Sequence, residues 1–217
     1  MDNQAGARQP YRIVTPPSAA TMACKRAFDI LCSFLGLTVL SPVLLVVSVL
    51  VAVTSPGGVF FRQERIGKDG KPFRIFKFRS MRKDNAGLKI TTGNDSRITP
   101  VGRFLRKSKI DELPQLINVL AGDMSFVGPR PEVADYVNLY TPYQRQVLLV
   151  RPGITGLASI RFRNENDLLT ASDDPNRTYV EQIMPRKIDL DLEYIPHASV
   201  FYDIKLIFQT FAVVIKE

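Results

Sequence analysis

The 217-residue chain has no tryptophan, one histidine and two cysteines. A lone His197 argues against a histidine-based metal site and against a Ser-His triad. Cys24 and Cys32 have neither the spacing of a disulfide framework nor that of a zinc site. They read as small residues on an apolar helix, and reduced thiols suit a cytosolic face. No G-x-x-x-x-G-K-[ST] loop is present, so Gly67-Lys68 is not a nucleotide-binding P-loop. There is no internal repeat and no low-complexity tract. Acidic residues are outnumbered, 21 against 29 Lys and Arg, giving a net charge of +8. That excess suits anionic partners: nucleic acid, a phospholipid surface or phosphorylated substrates.

Charge is also missing from Ile30 to Phe61. This run is too long, and starts too far in, for a secretory signal, so it reads as a membrane segment. Ile30 to Val53 would rise ~36 Å as a straight helix, enough to cross a hydrocarbon core of ~30 Å. Two features argue against a crossing. Ser41-Pro42 lies near the middle, and proline kinks or breaks a helix; Ser41 has the hydroxyl to satisfy a freed carbonyl. Both flanks are basic: Lys25 and Arg26 before, and Arg62, Arg65, Lys68, Lys71, Arg74, Lys77, Arg79, Arg82 and Lys83 after. Positive charge marks the cytoplasmic side. The expected segment therefore enters the bilayer, bends at Ser41 and Pro42, and returns.

The expected organisation is a flexible tail over 1–21, a re-entrant membrane helix over 22–54 and a single cytosolic catalytic domain over 55–217. The fold class is α+β and helix-rich, with amphipathic interfacial helices. Alternating apolar residues around Gly67-Lys68-Asp69-Gly70 predict a β-hairpin. Residues 83–100 are polar and turn-rich. Residues 131–150 read as a helix, with Tyr136, Leu139, Tyr140 and Tyr143 packing, and Arg151 to Gly156 as a loop. Asp173-Asp174-Pro175 marks a turn or helix start. Val200, Ile204, Ile207, Phe208, Phe211, Val214 and Ile215 follow a helical period, a stripe suited to the domain core or to the headgroup layer.

The chemistry concentrates in residues 101–132. Asp111 and Glu112 follow Arg103, Arg106, Lys107 and Lys109, and precede Pro114, which places a helix start nearby. Acidic residues at a helix start are ordinarily caps. The neighbouring cations change that reading: a carboxylate among phosphate-binding groups, kept ionised, is equipped to attack phosphorus. Lys107 and Lys109 also fit a solvated basic face. Gly128-Pro129-Arg130-Pro131 fixes one arginine between two prolines, either as a structural turn or as a platform for a base or phosphate.

These motifs together resemble the bacterial sugar transferases, the small monotopic polyprenyl-phosphate phosphoglycosyltransferases. The resemblance rests on Lys25-Arg26 and Asp29 leading into a Ser-Pro helix, Phe76-Lys77-Phe78-Arg79-Ser80-Met81, Gly102-Arg103-Phe104, Asp111-Glu112-Leu113-Pro114-Gln115-Leu116, Pro129-Arg130-Pro131, and Pro152-Gly153-Ile154-Thr155-Gly156. It covers residues 22–217. One departure is visible: Arg161-Phe162-Arg163-Asn164 stands where the family commonly has Asn-Gly-Arg-Asn, which keeps Arg163 and alters its neighbours.

The resemblance implies a two-step reaction at the cytosolic face of the bacterial inner membrane, as the first membrane step of polysaccharide or glycoconjugate synthesis. Asp111 would attack the β-phosphorus of a UDP-sugar and expel UMP, and polyprenyl (undecaprenyl) phosphate would then take the sugar phosphate. Asp111 and Glu112 are the implied catalytic pair and Mg²⁺ ligands. Lys77, Arg79, Arg103, Arg106, Arg130 and Arg163 are implied substrate-binding residues, with Pro129 and Pro131 shaping a uridine-recognition element. The implied partners are the UDP-sugar, the lipid acceptor and inner-membrane phospholipid, without nucleic acid; a homodimer is left open. Two rivals remain: a membrane-anchored basic adaptor, which would tolerate Asp111→Asn, and a phosphatase, which would not release UMP from UDP-sugar. Asp189-Leu190-Asp191 imitates a metal-binding D-x-D but lacks supporting ligands.

Overall fold

In the computed structural model the described residues are 13–55, 57–82 and 97–215. One helix dominates the N-terminal quarter: α1, Ala19–Thr54. Ser18 caps it, its Oγ accepting from the Thr21 N–H at 3.2 Å. Its outer surface is a run of exposed apolar side chains, including Leu31, Phe34, Val39, Leu45 and Val53. It is the one described helix long and apolar enough to cross a membrane.

The expected break at Ser41-Pro42 does not occur, because α1 is helical through Pro42. The reason is local. Pro42 has no N–H for the carbonyl of Thr38, and Ser41 Oγ donates to that carbonyl at 2.8 Å instead. A side-chain hydroxyl thus replaces the missing backbone donor. The flexible-tail expectation also fails in part. Residues 1–12 lie outside the described residues, but Val14 is buried in the main core and its N–H donates to Gln146 Oε1 at 2.7 Å.

The predicted hairpin forms. β1 (Phe60–Ile66) pairs antiparallel with β2 (Pro72–Phe78). The turn is a short 3₁₀ segment, Lys68–Gly70, in which Asp69 and Gly70 take positive φ. The polar stretch 83–100 falls largely outside the described residues; its end supplies Thr99, which caps α2 (Pro100–Lys107) by accepting from Gly102 N–H. Gly102 itself lies against the backbone of Ser80, where a Cβ would come within 2.0 Å of the carbonyl oxygen.

A 3₁₀ turn over Ile110–Glu112 leads into α3 (Gln115–Ala121). β3 (Ser125–Val127) then pairs parallel with β4 (Gly153–Thr155), so the expected loop 151–156 contains a strand. The two backbones touch: a Cβ on Gly153 would meet Gly128 N at 2.1 Å. The helix expected over 131–150 is broken into α4 (Ala134–Val137) and a 3₁₀ segment, Gln144–Leu149. Pro142 removes a donor between them. Tyr136 and Tyr140 pack in the core as expected, while Leu139 is exposed.

The C-terminal third is helical: α5 (Leu157–Arg161), α6 (Glu165–Thr170), α7 (Pro175–Thr178), α8 (Met184–Tyr194) and α9 (Val200–Ile215). Asp174 caps α7 by accepting from Arg177 N–H, as its sequence position suggested. A π-helical turn, Tyr179–Ile183, joins α7 to α8. The main core joins Val127, Tyr136, Tyr140, Ile188, Leu192 and Leu206. α9 buries Leu206 but exposes Phe201, Phe208 and Phe211.

Both halves of α1 rest on this domain. Near its start, buried Lys25 pairs with Asp203 of α9 and donates to the Val127 carbonyl at 3.0 Å. Asp29 accepts from the Phe126 N–H and the Ser125 hydroxyl, each at 3.1 Å. Arg26 donates to the carbonyls of Val119 and Leu120 at the end of α3. Near its finish, Val47 and Val51 pack with Phe78 and Leu105. Lys25 and Arg26, read above as a basic flank, are therefore also docking residues.

Candidate active site

Asp111 and Glu112 do not cap a helix. They occupy the 3₁₀ turn ahead of α3, whose N-cap position is Pro114, with no side-chain capping bond. The turn is entered through Lys109, a non-glycine residue at φ 58°. Such a conformation is uncommon outside glycine and is held here by the elements on either side. β2 lies alongside: buried Asn118 of α3 accepts from Phe76 N–H at 2.9 Å and donates to the Arg74 carbonyl at 2.8 Å. That clamp sets Lys77 of β2 against the acidic turn.

The two carboxylates are treated differently. Glu112 Oε1 receives Lys77 Nζ at 2.7 Å and Arg130 Nη2 at 3.4 Å. Burial opposes its ionisation, but Lys77 and Arg130 outweigh burial and hold its carboxyl below the usual range. Glu112 in turn raises the Arg130 guanidinium. Lys77 is lowered by burial, with Glu112 opposing. Asp111, 8% exposed, has no ion pair among the described residues. Burial first and the Glu112 charge second push it up to about 6, against the pull of Lys77, Arg106 and Lys109. The sequence reading expected a helix start to favour the ionised form; the structure shifts this group the other way, yet leaves it mostly ionised at pH 7.

The Pro129-Arg130-Pro131 loop is braced from behind. Pro129 and Pro131 are buried. Gly153 N–H donates to the Pro129 carbonyl at 2.9 Å, and Arg65 Nη1 to the Pro131 carbonyl at 3.1 Å. Glu132 accepts from the Tyr179 hydroxyl and from Arg65. Asp191 of α8 is buried beside the backbone amides of Arg130 and Ala158, and burial raises it to about 8. Asp189 is exposed on the same helix, so the two ends of the D-x-D do not converge.

A cleft of about 410 Å³ opens from this centre, with Lys109, Glu112, Arg130 and Arg163 on its wall. The structure thus gathers Asp111, Glu112, Lys77, Arg106, Arg130 and Arg163 into one region. It places Arg79 elsewhere: its guanidinium donates to the carbonyls of Gly58 and Phe60 at 2.8 and 3.2 Å. Arg103 is exposed on α2 and off the cleft wall. Sequence reading missed Lys109 as a cleft residue and missed Glu132, Tyr179 and Asp191 as braces. Glu132 abuts the Pro-Arg-Pro triplet, which was a usable signal; the other braces are remote in sequence and gave none.

The region thus combines two adjacent carboxylates, a set of cations around them and, packed on the same domain, a helix long and apolar enough to cross a membrane. Residues 20–217 match the family described as Bacterial sugar transferase, and the chain belongs to that family. It is 44% identical over 202 residues to the UDP-glucose:undecaprenyl-phosphate glucose-1-phosphate transferase of Escherichia coli K12, a match covering 90% of this chain and 41% of that protein. It is 38% identical over 199 residues to the UDP-N-acetylgalactosamine-undecaprenyl-phosphate N-acetylgalactosaminephosphotransferase of Aeromonas hydrophila, covering 89% of this chain and 44% of that protein. The exopolysaccharide production protein PSS of Rhizobium leguminosarum bv. phaseoli is 41% identical over 199 residues, covering 87% of this chain and 94% of that protein. The chain thus spans about two fifths of the length of the first two relatives.

Proposed function

We propose that the chain transfers a sugar-1-phosphate from a UDP-sugar to undecaprenyl phosphate and releases UMP. The observation that carries this reading is the asymmetry of the carboxylates. Glu112 collects Lys77 and Arg130, while Asp111 stays buried, without an ion pair among the described residues and within the field of three cations. Asp111 is the nucleophile. Its carboxylate oxygen forms a bond to the β-phosphorus as the bond to UMP breaks, and UMP leaves with the electron pair. An oxygen of the acceptor phosphate then forms the new phosphoanhydride, and the aspartyl–phosphorus bond breaks to restore the carboxylate. One anhydride replaces another, so no further energy source enters.

Lys77, Arg106, Arg130 and Arg163 offset the charge of the diphosphate, and Pro129 and Pro131 hold Arg130 in place. A Mg²⁺ ion fits the acidic pair, since both Glu112 ion pairs fall on Oε1 and Asp111 lacks one. Asp111 and Glu112 would hold it, and it would neutralise diphosphate charge.

The membrane reading is that α1 enters the bilayer and returns, keeping the site at headgroup depth on the cytosolic face. Its support is that Lys25 and Val51, at opposite ends of the helix, both dock on the same domain. The reading requires α1 to bend at Pro42, which a proline can produce without breaking the helix. A cysteine placed ahead of Ser18 is expected to label only from inside the cell; labelling from outside overturns the re-entrant reading.

The chemistry is tested with a panel of UDP-sugars and undecaprenyl phosphate, following UMP. One sugar is expected to turn over, EDTA to abolish release, and donor alone to leave a phosphosugar mass on Asp111. Turnover without that adduct, or undiminished by chelation, overturns the mechanism.

A further inference from the structure

The wall of the 410 Å³ cleft changes character along its length. One end carries Lys109, Glu112, Arg130 and Arg163. The other is built from Leu113 and Leu116 of α3, Ile154 of β4, and Ile207, Phe211 and Val214 of α9. The two threonines beside it bond to each other and to the backbone: Thr155 Oγ1 and Thr210 Oγ1 lie 2.8 Å apart, and Thr210 Oγ1 donates to the Leu206 carbonyl at 2.8 Å. Thr155 can therefore donate only to Thr210, and neither hydroxyl proton is free for a sugar. The apolar end is also continuous with the membrane-facing surface. Phe211 is 60% exposed on the face of α9 that carries Phe201 and Phe208. On the other side, Leu116 Cδ1 lies 3.3 Å from where a Cβ of Gly36 would stand, so this cleft residue abuts α1 in mid-membrane-segment.

We propose that this apolar end seats the first isoprene units of the acceptor lipid and delivers its phosphate to the charged end. The proposal deepens the transferase reading and rests on it. An apolar chain needs a wall built mainly of apolar side chains, and an anionic head needs cations beside it; the cleft offers both, with an opening onto apolar surface. Only part of the chain fits, so the remainder stays in the bilayer.

The experiment uses the full chain in phosphatidylethanolamine–phosphatidylglycerol nanodiscs, with the donor that the panel selects. Two rates are compared: exchange of labelled UMP into UDP-sugar without acceptor, and transfer to undecaprenyl phosphate. Phe211→Asp and Val214→Asp each lower the ratio of transfer to exchange at least tenfold, through KM for undecaprenyl phosphate. Phe208→Asp, on the same helix but off the cleft wall, leaves that ratio within twofold. Phe211 is exposed, so its substitution leaves the core intact, and a thermal melt confirms it. An equal fall in exchange and transfer assigns the cleft to the donor and overturns the proposal. So does an unchanged ratio, or a Phe208→Asp effect as large as that of Phe211→Asp, which would indicate general loss of bilayer docking. Absence of exchange in the native chain would instead remove the transferase reading itself.

Discussion

Two of the places where this protein buries charge do so in opposite ways. At the foot of α1, Lys25 meets Asp203, and Asp203 also accepts from the Tyr194 hydroxyl at 2.6 Å. Asp29 nearby is saturated by Ser125 and Phe126. Charge and donor balance, and the result is a joint. At the Asp111–Glu112 turn two like charges are adjacent, and the available cations favour one of them. Asp111 is left desolvated beside a negative neighbour. The first arrangement holds two elements together; the second stores unfavourable energy in the group proposed to attack phosphorus.

The comparison breaks most visibly at Asp111. Asp111→Asn is expected to lower transfer by about 10³-fold or more, because the nucleophile is lost; UMP release at near-native rate would refute its role. Next in size is the joint. Lys25→Met leaves Asp203 buried without its cation and should destabilise the fold by about 3–5 kcal/mol in a denaturant titration. A change below about 1 kcal/mol would mean that the joint is ornamental.

A third measurement sharpens the contrast through pH, on protein freed of metal with EDTA. Asp111 has its folded pKa raised, so between pH 4 and 6 the native state binds more protons than the unfolded state, and stability falls as pH rises through that window. Asp111→Asn removes this loss. The variant should be more stable than the native chain by about 2–3 kcal/mol above pH 6 and no more stable at pH 4. Adding Mg²⁺ should raise the Tm of the native chain and leave that of the variant nearly unchanged. The smallest expected effects separate two arginines outside the cleft. Arg79→Ala strands the carbonyls of Gly58 and Phe60 and should cost about 1 kcal/mol of stability with KM for UDP-sugar unchanged. Arg103→Ala should alter stability by less than about 0.5 kcal/mol.

The hairpin around Gly67 to Gly70, the helix start at Asp174, and the α9 stripe were legible because each depends on neighbours in sequence. The Pro42 break was misread because Ser41 repairs a carbonyl one turn back. The helix over 131–150 was misread because Tyr136 and Tyr140 keep helical spacing through a segment that tertiary packing bends. Lys25 and Arg26 were read only as a basic flank because a sequence shows a charge but not its partner.

What residue order alone determined is the supply of groups: an uncharged segment, an adjacent Asp and Glu behind cations, and an arginine locked between prolines. These follow from composition and local backbone restriction. Tertiary structure decided which carboxylate received the cations, that α1 is anchored at both ends to one domain, and that an apolar wall adjoins the charged centre. Such outcomes depend on distances between residues far apart in the chain, and electrostatic and packing energies are set by those distances.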